Sequence, residues 1–252
     1  MLYKYVGHED PNELVNILRY FVEDGTIRAS CPHDFNDPAE FKAQIEFTAD
    51  KETIRERYFS MWPQQATEEH FELWYSANIE SGEWFDVYSI RRNFLMDRGV
   101  ICLTRRPDNY LMWSHYARSH SGFCIGFDDD MSLEFGDDRI ISGEVQYTRD
   151  IPTINFFTDT AEIGVPALCL NKNDAWSYEE EFRVVTRNHG IKTFNKSLIR
   201  EITIGCKPSS EIEEYARQFI GSNINVYKML CPPDSYQLTK VELKEDVYFQ
   251  GY

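Results

Sequence analysis

Hydrophobic and polar residues follow two different periods along this chain. Apolar residues spaced three and four apart predict helices from Pro11 to Val22 and from Ser209 to Ile220. Two-residue alternation or short apolar runs predict strands at 2–6, 26–30, 100–104, 123–127, 142–148, 182–187, 201–205, 225–229 and 236–243. Strands that share a chain with segregated helices favour the α+β class. We therefore expect a mixed, mostly antiparallel sheet core with flanking helices.

Residues 50–98 have a different pattern. Lys51 to Met61, Thr67 to Asn78 and Trp84 to Met96 each carry helical spacing of apolar residues with few strand signals. The sequence predicts a single domain over 1–252 with a helical insertion at 50–98. Packing between helices is the simplest role for the aromatic rings of this insertion.

Composition and charge narrow the class of protein. The 252 residues are 42% hydrophobic, which suffices for a globular core, and no apolar run has the ~20 residues of a membrane span. The first residues lack the pattern of a secretion signal, so we expect a cytoplasmic protein with no membrane partner. A formal charge of −16 opposes broad adsorption to nucleic acid, which leaves nucleic acid as a local substrate only. Six scattered cysteines without a C-x-x-C pair indicate reduced thiols.

Three segments mix polar side chains with large rings in a way that suits a partly dry pocket. They are Phe35-Asn36-Asp37-Pro38, Met112-Trp113-Ser114-His115-Tyr116-Ala117 and Trp176-Ser177-Tyr178-Glu179-Glu180-Glu181-Phe182-Arg183. In the first segment, the alternative role of Asn36 and Asp37 is to cap turns through their own backbone.

The third segment places two acids and a guanidinium at alternate positions. If the extended conformation already holds at Glu179, then Glu179, Glu181 and Arg183 point to one side of the sheet, and Phe182 points to the other. A carboxylate beside an arginine stays ionised, which suits it to stabilise developing positive charge or to accept a proton. The alternative is an edge strand with a surface ion pair.

The second segment lies in a short helix that starts near Asn109. Trp113, Tyr116 and Ala117 form its buried stripe, so His115 faces elsewhere. A hydrogen bond to a backbone carbonyl or to a substrate is expected for His115. No metal site is predicted, because its neighbour His120 is five positions away and no cysteine or acid completes a ligand set.

Several of these segments, in fixed order, resemble the bacterial domain-of-unknown-function family 2971. The resemblance is carried by Leu2-Tyr3-Lys4-Tyr5, Phe35-Asn36-Asp37-Pro38, Cys102-Leu103-Thr104, Leu111 to Ala117, Gly122, Cys124 to Phe127, Val145-Gln146-Tyr147 and Trp176 to Arg183. It covers most of the chain apart from the helical insertion, and it implies no particular activity.

The layout is also similar to that of ADP-ribosyltransferases, which have an early strand, helix and strand and a late acid on a strand. This likeness implies NAD as a substrate, Glu181 as the catalytic acid and Glu179 as its assistant. The chain departs from that pattern where Tyr3 or Lys4 replaces a first-strand His or Arg, and it lacks a Ser-Thr-Ser on a middle strand. The expected substrate-binding residues are Tyr3, Lys4, Asn36, Asp37, Trp113, His115, Tyr116, Trp176 and Arg183.

Three functions follow from these observations. The first is an enzyme that processes NAD or another nucleotide, a glycosyltransferase of the ADP-ribosyltransferase type acting in bacterial stress or phage defence. The second is a non-catalytic module that binds a small molecule or a protein partner such as a toxin, which the acidic surface also suits. The third is a metal-dependent nuclease in which Asp37, Glu179 and Glu181 hold magnesium.

Overall fold

The computed structural model describes residues 1–81, 92 and 94–244. These residues form an α+β protein with a mixed, mostly antiparallel sheet, which confirms the predicted fold class. The chain divides into two compact units. Unit 1 holds the described residues within 1–30, 99–145 and 175–252, and unit 2 holds those within 31–98 and 146–174. The segment expected to be a helical insertion thus falls within unit 2.

Unit 1 is built on a sheet that has eight strands among the described residues. Strands β12 and β13 pair in parallel, and all other neighbours in this sheet are antiparallel. With strands numbered along the chain, the spatial order is β14 (Thr239–Glu242), β13 (Asn225–Leu230), β12 (Ile199–Ile204), β5 (Phe123–Phe127), β1 (Leu2–Val6), β4 (Gly99–Thr104), β10 (Glu181–Thr186) and β6 (Arg139–Glu144). A separate antiparallel pair joins β2 (Thr26–Ala29) and β11 (Gly190–Thr193).

The main core lies on one face of this sheet, under two helices with apolar stripes. Helix α1 (Pro11–Arg19) starts at Asp10, whose carboxylate accepts from the Asn12 N–H at 2.8 Å, and a π-helical turn (Tyr20–Asp24) extends it to Gly25. Gly25 has φ +64°, the left-handed conformation that ends helices. Apolar side chains of α1 and of α6 (Ser210–Arg217) join alternate residues of β5 and β12 in one buried cluster. Full burial of such side chains contributes about 1.5–3 kcal/mol each.

The opposite face of the sheet carries a smaller aromatic cluster beneath α4 (Tyr110–His115). The side chain of Asn109 accepts from the N–H groups of Leu111 and Met112, which starts this helix where the sequence predicts. Trp113 and Ala117 are fully buried, in agreement with the predicted stripe.

Unit 2 combines helices with two short parallel strand pairs. Its helices are α2 (Lys51–Met61), α3 (Glu68–Tyr75), which continues in a π-helical turn (Ser76–Glu80), and α5 (Ala161–Cys169). The strand pairs are β3 (Gln44–Glu46) with β8 (Thr153–Asn155) and β7 (Gln146–Thr148) with β9 (Asn171–Asn173). Helix α2 has the predicted bounds, whereas most of the helix predicted over 84–96 lies outside the described residues.

Two sequence predictions differ from the structure. The run 142–148 was expected to be one strand, but it divides at Val145 into β6 in unit 1 and β7 in unit 2. Helix α5 was not predicted, because Gly164 and Pro166 within it are typical of loops. The strands β3, β8 and β9 have three residues each, which is too short for a recognisable alternation.

A left-handed turn connects α4 to β5. Arg118, Ser119 and His120 all have positive φ, at 44°, 52° and 69°, which is rare for residues other than glycine. Two glycines allow neighbouring backbone to approach this turn closely. A Cβ on Gly205 would lie 2.0 Å from the carbonyl oxygen of His120, and one on Gly122 would lie 2.1 Å from that of Val6.

Gly205→Ala should therefore destabilise the protein, because the added methyl meets rigid backbone. We expect a loss of about 3 kcal/mol, which corresponds to a thermal midpoint roughly 6–12 °C lower by circular dichroism. The control is Gly164→Ala in α5, where the nearest atom to the new Cβ would be 3.5 Å away. This change should be neutral or slightly stabilising, and equal midpoints for the two variants would contradict the packing argument.

Candidate functional site

Strand β4 changes partners along its length. At its carboxyl end Thr104 pairs with Tyr3 of β1, and this is the one register pair between these strands among the described residues. At its amino end Val100 is bridged to Ser30, directly after β2, with backbone N···O distances of 2.8 and 3.0 Å. Because β1 and β2 diverge beside β4, a cavity opens between them.

This space, the β1–β2 cavity, has a volume of about 550 Å³ and lies wholly within unit 1. That volume is in the range of small-molecule sites. The lining combines apolar, aromatic and cationic side chains, among them Lys4, Ile17, Tyr20, Thr26, Arg28 and Tyr116.

Lys4 is the half-buried cation of the β1–β2 cavity. Its Nζ donates to the carbonyl oxygen of Cys102 at 3.0 Å, and it has no ion pair within the described part of the chain. An ammonium has three donors, so Lys4 keeps donors available for an anionic group.

Tyr116 connects the cavity to a buried acid. Its hydroxyl donates to Oε1 of Glu179 at 2.6 Å, a charge-assisted distance. Glu179 is only 3% exposed and ends a 3₁₀ segment (Asp174–Glu179). Two more bonds position this segment: Thr104 donates to the Glu179 carbonyl at 2.6 Å, and Asn109 donates to the Tyr178 carbonyl at 2.6 Å.

Glu181 and Arg183 form a buried ion pair on β10. The Nε and a terminal nitrogen of Arg183 donate to the two carboxylate oxygens of Glu181 at 2.8 and 2.9 Å. Glu181 is 4% exposed and Arg183 is fully buried, and β10 lies between β4 and β6. The alternative of a surface ion pair on an edge strand is therefore wrong.

Glu179 does not lie on β10. The sequence placed Glu179 on the same side of the sheet as Glu181 and Arg183 only if the strand already included Glu179, and it does not. The extended conformation begins at Glu181, and Glu180 between the two acids has φ +42°. This left-handed residue turns the chain out of the 3₁₀ segment, and the Glu180 side chain pairs instead with Arg106 at 3.1 Å. Phe182 does point to the opposite face, where it joins the main core.

Cys102 lies between Lys4 and the ion pair. It is opposite Arg183 in the register of β4 and β10. Burial raises the pKa of its thiol, and the nearby Glu181 carboxylate raises this pKa further, so the thiol stays protonated. Cys102 therefore contacts the cavity cation through its carbonyl and lies near the buried carboxylate.

Trp113 and Tyr3, which the sequence also predicts to bind substrate, are packed inside unit 1. The buried Trp113 donates from its ring nitrogen to the Pro107 carbonyl at 2.9 Å and packs edge-on against Tyr5 at 5.2 Å. Tyr3 is buried in the aromatic cluster, and burial followed by the Glu201 charge raises its pKa to about 12.

The exposed His115 contacts a side chain. The first role that the sequence predicted was a hydrogen bond to a backbone carbonyl instead. The Nδ1 of His115 lies 3.1 Å from the Tyr178 hydroxyl. The Trp176 and Tyr178 rings are 6.0 Å apart. The contact of Tyr178 with His115 therefore joins the third polar segment to the second.

Asn36 and Asp37 lie in unit 2. The Asp37 carboxylate accepts from the Ala39 N–H at 2.8 Å, which is the turn-capping role proposed as the alternative for this loop. Asn36 is exposed. Within the described residues, no group of three or more His, Cys, Asp or Glu side chains could hold a metal ion.

The contribution of β2 to the cavity was not among the features predicted from the sequence. Thr26, Ile27, Arg28 and Ser30 line the cavity, and the buried Ile27 and Ala29 alternate with the more exposed Thr26, Arg28 and Ser30. That alternation is visible in the sequence and could have marked one polar face of the strand. The alternation could not show that β1 diverges from β4 beside Val100, which is what opens the cavity.

The protein family described as "Protein of unknown function (DUF2971)" has a model that matches residues 112–184. This match confirms the resemblance to that family and includes both polar segments of unit 1. Neither the curated proteins nor the solved structures include a match to the chain. As for membranes, none of the helices in the described ranges is long and apolar enough to cross one.

The bond between Tyr116 and Glu179 should be strong because it is charge-assisted and its acceptor is buried. In a double-mutant cycle of Tyr116→Phe and Glu179→Gln, we expect a coupling of about 1.5–3 kcal/mol in the free energy of unfolding in urea. The control is the bond from the Tyr215 hydroxyl to the Glu23 carboxylate, which has a similar length of 2.7 Å but an exposed acceptor. That coupling should stay below about 1 kcal/mol. Equal couplings would show that burial does not strengthen the Tyr116 bond.

Proposed function

We propose that the protein is an enzyme that binds NAD or a related nucleotide in the β1–β2 cavity and breaks its glycosidic bond. The observation that carries this proposal is that Tyr116 lines the cavity and also binds the buried carboxylate of Glu179. A ligand in the cavity would therefore contact Tyr116, which is bonded directly to this acid.

The cavity has the chemistry that a nucleotide requires. Lys4 has donors available for a phosphate group, and Arg28 adds a second cation to the wall. The rings of Tyr20 and Tyr116 provide flat surfaces for a base or for nicotinamide. These cations are notable in a chain with a formal charge of −16.

The acids would act on the ribose. As the C1′–N bond breaks, its electron pair moves to the nicotinamide nitrogen and positive charge develops on the ribose. A carboxylate held ionised by an arginine, as Glu181 is by Arg183, stabilises that charge. The acceptor oxygen then attacks C1′, and its proton passes to a carboxylate, for which Glu179 is our candidate.

Burial of the ion pair supports a second candidate function. Glu181 is 4% exposed and Arg183 is fully buried, so the pair also suits a purely structural role. In that case the cavity would bind a small molecule or partner without turnover. Binding of NAD without nicotinamide release would favour this binding module over the enzyme.

The test of catalysis uses two neighbouring acids. Glu181→Gln should reduce nicotinamide release from NAD at least about 100-fold, because it removes the charge that stabilises the transition state. Glu180→Gln should release nicotinamide at the native rate, since the exposed Glu180 contacts Arg106 rather than the buried pair. Circular dichroism should show both variants folded. Undiminished release by Glu181→Gln would remove Glu181 from the mechanism.

The test of binding uses two lysines. Lys4→Met should weaken NAD binding in calorimetry by about 10-fold or more, because a phosphate contact to a charged donor is worth about 1.5–3 kcal/mol. The control is Lys207→Met, which makes the same charge change at an exposed lysine of unit 1 that does not line the β1–β2 cavity. If both variants bind as the native chain does, the cavity is not the nucleotide site.

A further inference from the structure

We propose that Cys206 and Cys231 form a dithiol modification site that a peroxide closes into an internal disulfide. The two thiols line one cavity of about 440 Å³ in unit 1, together with His120, Tyr110 and Lys207. None of the residues that line this cavity also lines the β1–β2 cavity.

The sheet register brings the two backbones together. Ile204 of β12 is opposite Lys228 of β13 in a parallel pair, so the same register continued for two residues places Cys206 opposite Leu230. Cys231 is the next residue. An ideal continuation of this register, with a strand spacing of about 4.8 Å and a rise of about 3.3 Å per residue, would put the two Cα atoms roughly 6 Å apart; the bend after β12 departs from it, and the cavity that both thiols line is the direct evidence of proximity. Disulfides span about 4.4–6.8 Å between Cα atoms.

The end of β12 also brings the side chains to one side. In regular strands Cys206 and Cys231 would point to opposite faces, because they are offset by one residue. The chain bends at Cys206 and Lys207, however, and Cys206 packs on the aromatic cluster that contains Met229. Met229 is two residues before Cys231, so both thiols reach the face that lines the cavity.

Partial exposure and a shared cavity distinguish this pair from the other cysteines. Cys206 and Cys231 are both partly exposed, whereas Cys124 and Cys169 are buried. Cys31 lies in unit 2, and Cys102 is beside the Glu181 carboxylate. Burial raises the pKa of the Cys206 thiol, and the charge of Cys231 raises it further, which is consistent with their proximity.

The reaction balances with one peroxide molecule. One thiolate sulfur attacks a peroxide oxygen and forms a sulfenic acid, with release of one water after proton transfer. The second sulfur then displaces the sulfenic oxygen as a second water and forms the S–S bond. The two thiols are oxidised by loss of two hydrogen atoms, and hydrogen peroxide is reduced to two water molecules.

The full chain treated with hydrogen peroxide should lose two of its six titratable thiols and the mass of two hydrogen atoms. Peptide mapping should find Cys206 linked to Cys231, and dithiothreitol should reverse the change. The rate should rise with pH, because the thiolate rather than the thiol attacks the peroxide. Phenylarsine oxide, which bridges two close thiols, should protect both cysteines.

The controls separate a pair from independent thiols. Cys206→Ser and Cys231→Ser should each abolish the intramolecular link, while Cys31→Ser should retain it. Oxidation of Cys206 and Cys231 to separate sulfinic acids, or links only between different molecules, would overturn the proposal. If the Cys206→Ser and Cys231→Ser variants fail to fold, the test is the peptide map of Cys31→Ser. The peptide that links Cys206 to Cys231 should be present in that map, and its absence would overturn the proposal.

Discussion

The exchange of partners along β4 is the constraint on which the candidate site depends. A strand that paired with β1 over its whole length would leave no space between β1 and β2. Instead β4 pairs with β1 at Thr104 and with Ser30, the residue directly after β2, at Val100, while its other edge pairs with β10 at every residue. One edge of β4 thus holds Glu181 and Arg183 in a continuous ladder, and the other edge leaves an opening. Rigid support and an accessible cavity therefore come from the same strand.

Burial of the acids has an energetic consequence for any function at this site. Removing water from an ion pair costs several kcal/mol per ion, and the two bonds between Glu181 and Arg183 offset part of this cost. A well-packed apolar pair would often be at least as stable in such a position. By this comparison, the Glu181–Arg183 pair adds little to the free energy of unfolding, although loss of either partner would leave an uncompensated buried charge.

The sequence predicted local features well and nonlocal features poorly. Several features follow from the spacing of residues over a few positions. They are helix α2, strands β1 and β5, the buried stripe of α4, and the shared side of Glu181 and Arg183. The conformation of Glu179 could not be predicted, because it depends on a left-handed Glu180 and on bonds from Thr104 and Tyr116. The cavity could not be predicted either, since it arises where two strands diverge rather than from a motif. The contact of His115 with Tyr178 joins positions 63 residues apart.

The bridge between Ser30 and Val100 also bears on how this chain could accept a second unit. The stretch 31–98 leaves unit 1 directly after Ser30 and returns at Gly99, beside the residue to which Ser30 is hydrogen bonded. The two ends of the excursion are therefore neighbours, as in a hairpin loop. The entropy cost of closing a loop grows only with the logarithm of its length. A change in the length of this stretch should therefore cost the sheet of unit 1 little, as long as the bridge stays in place.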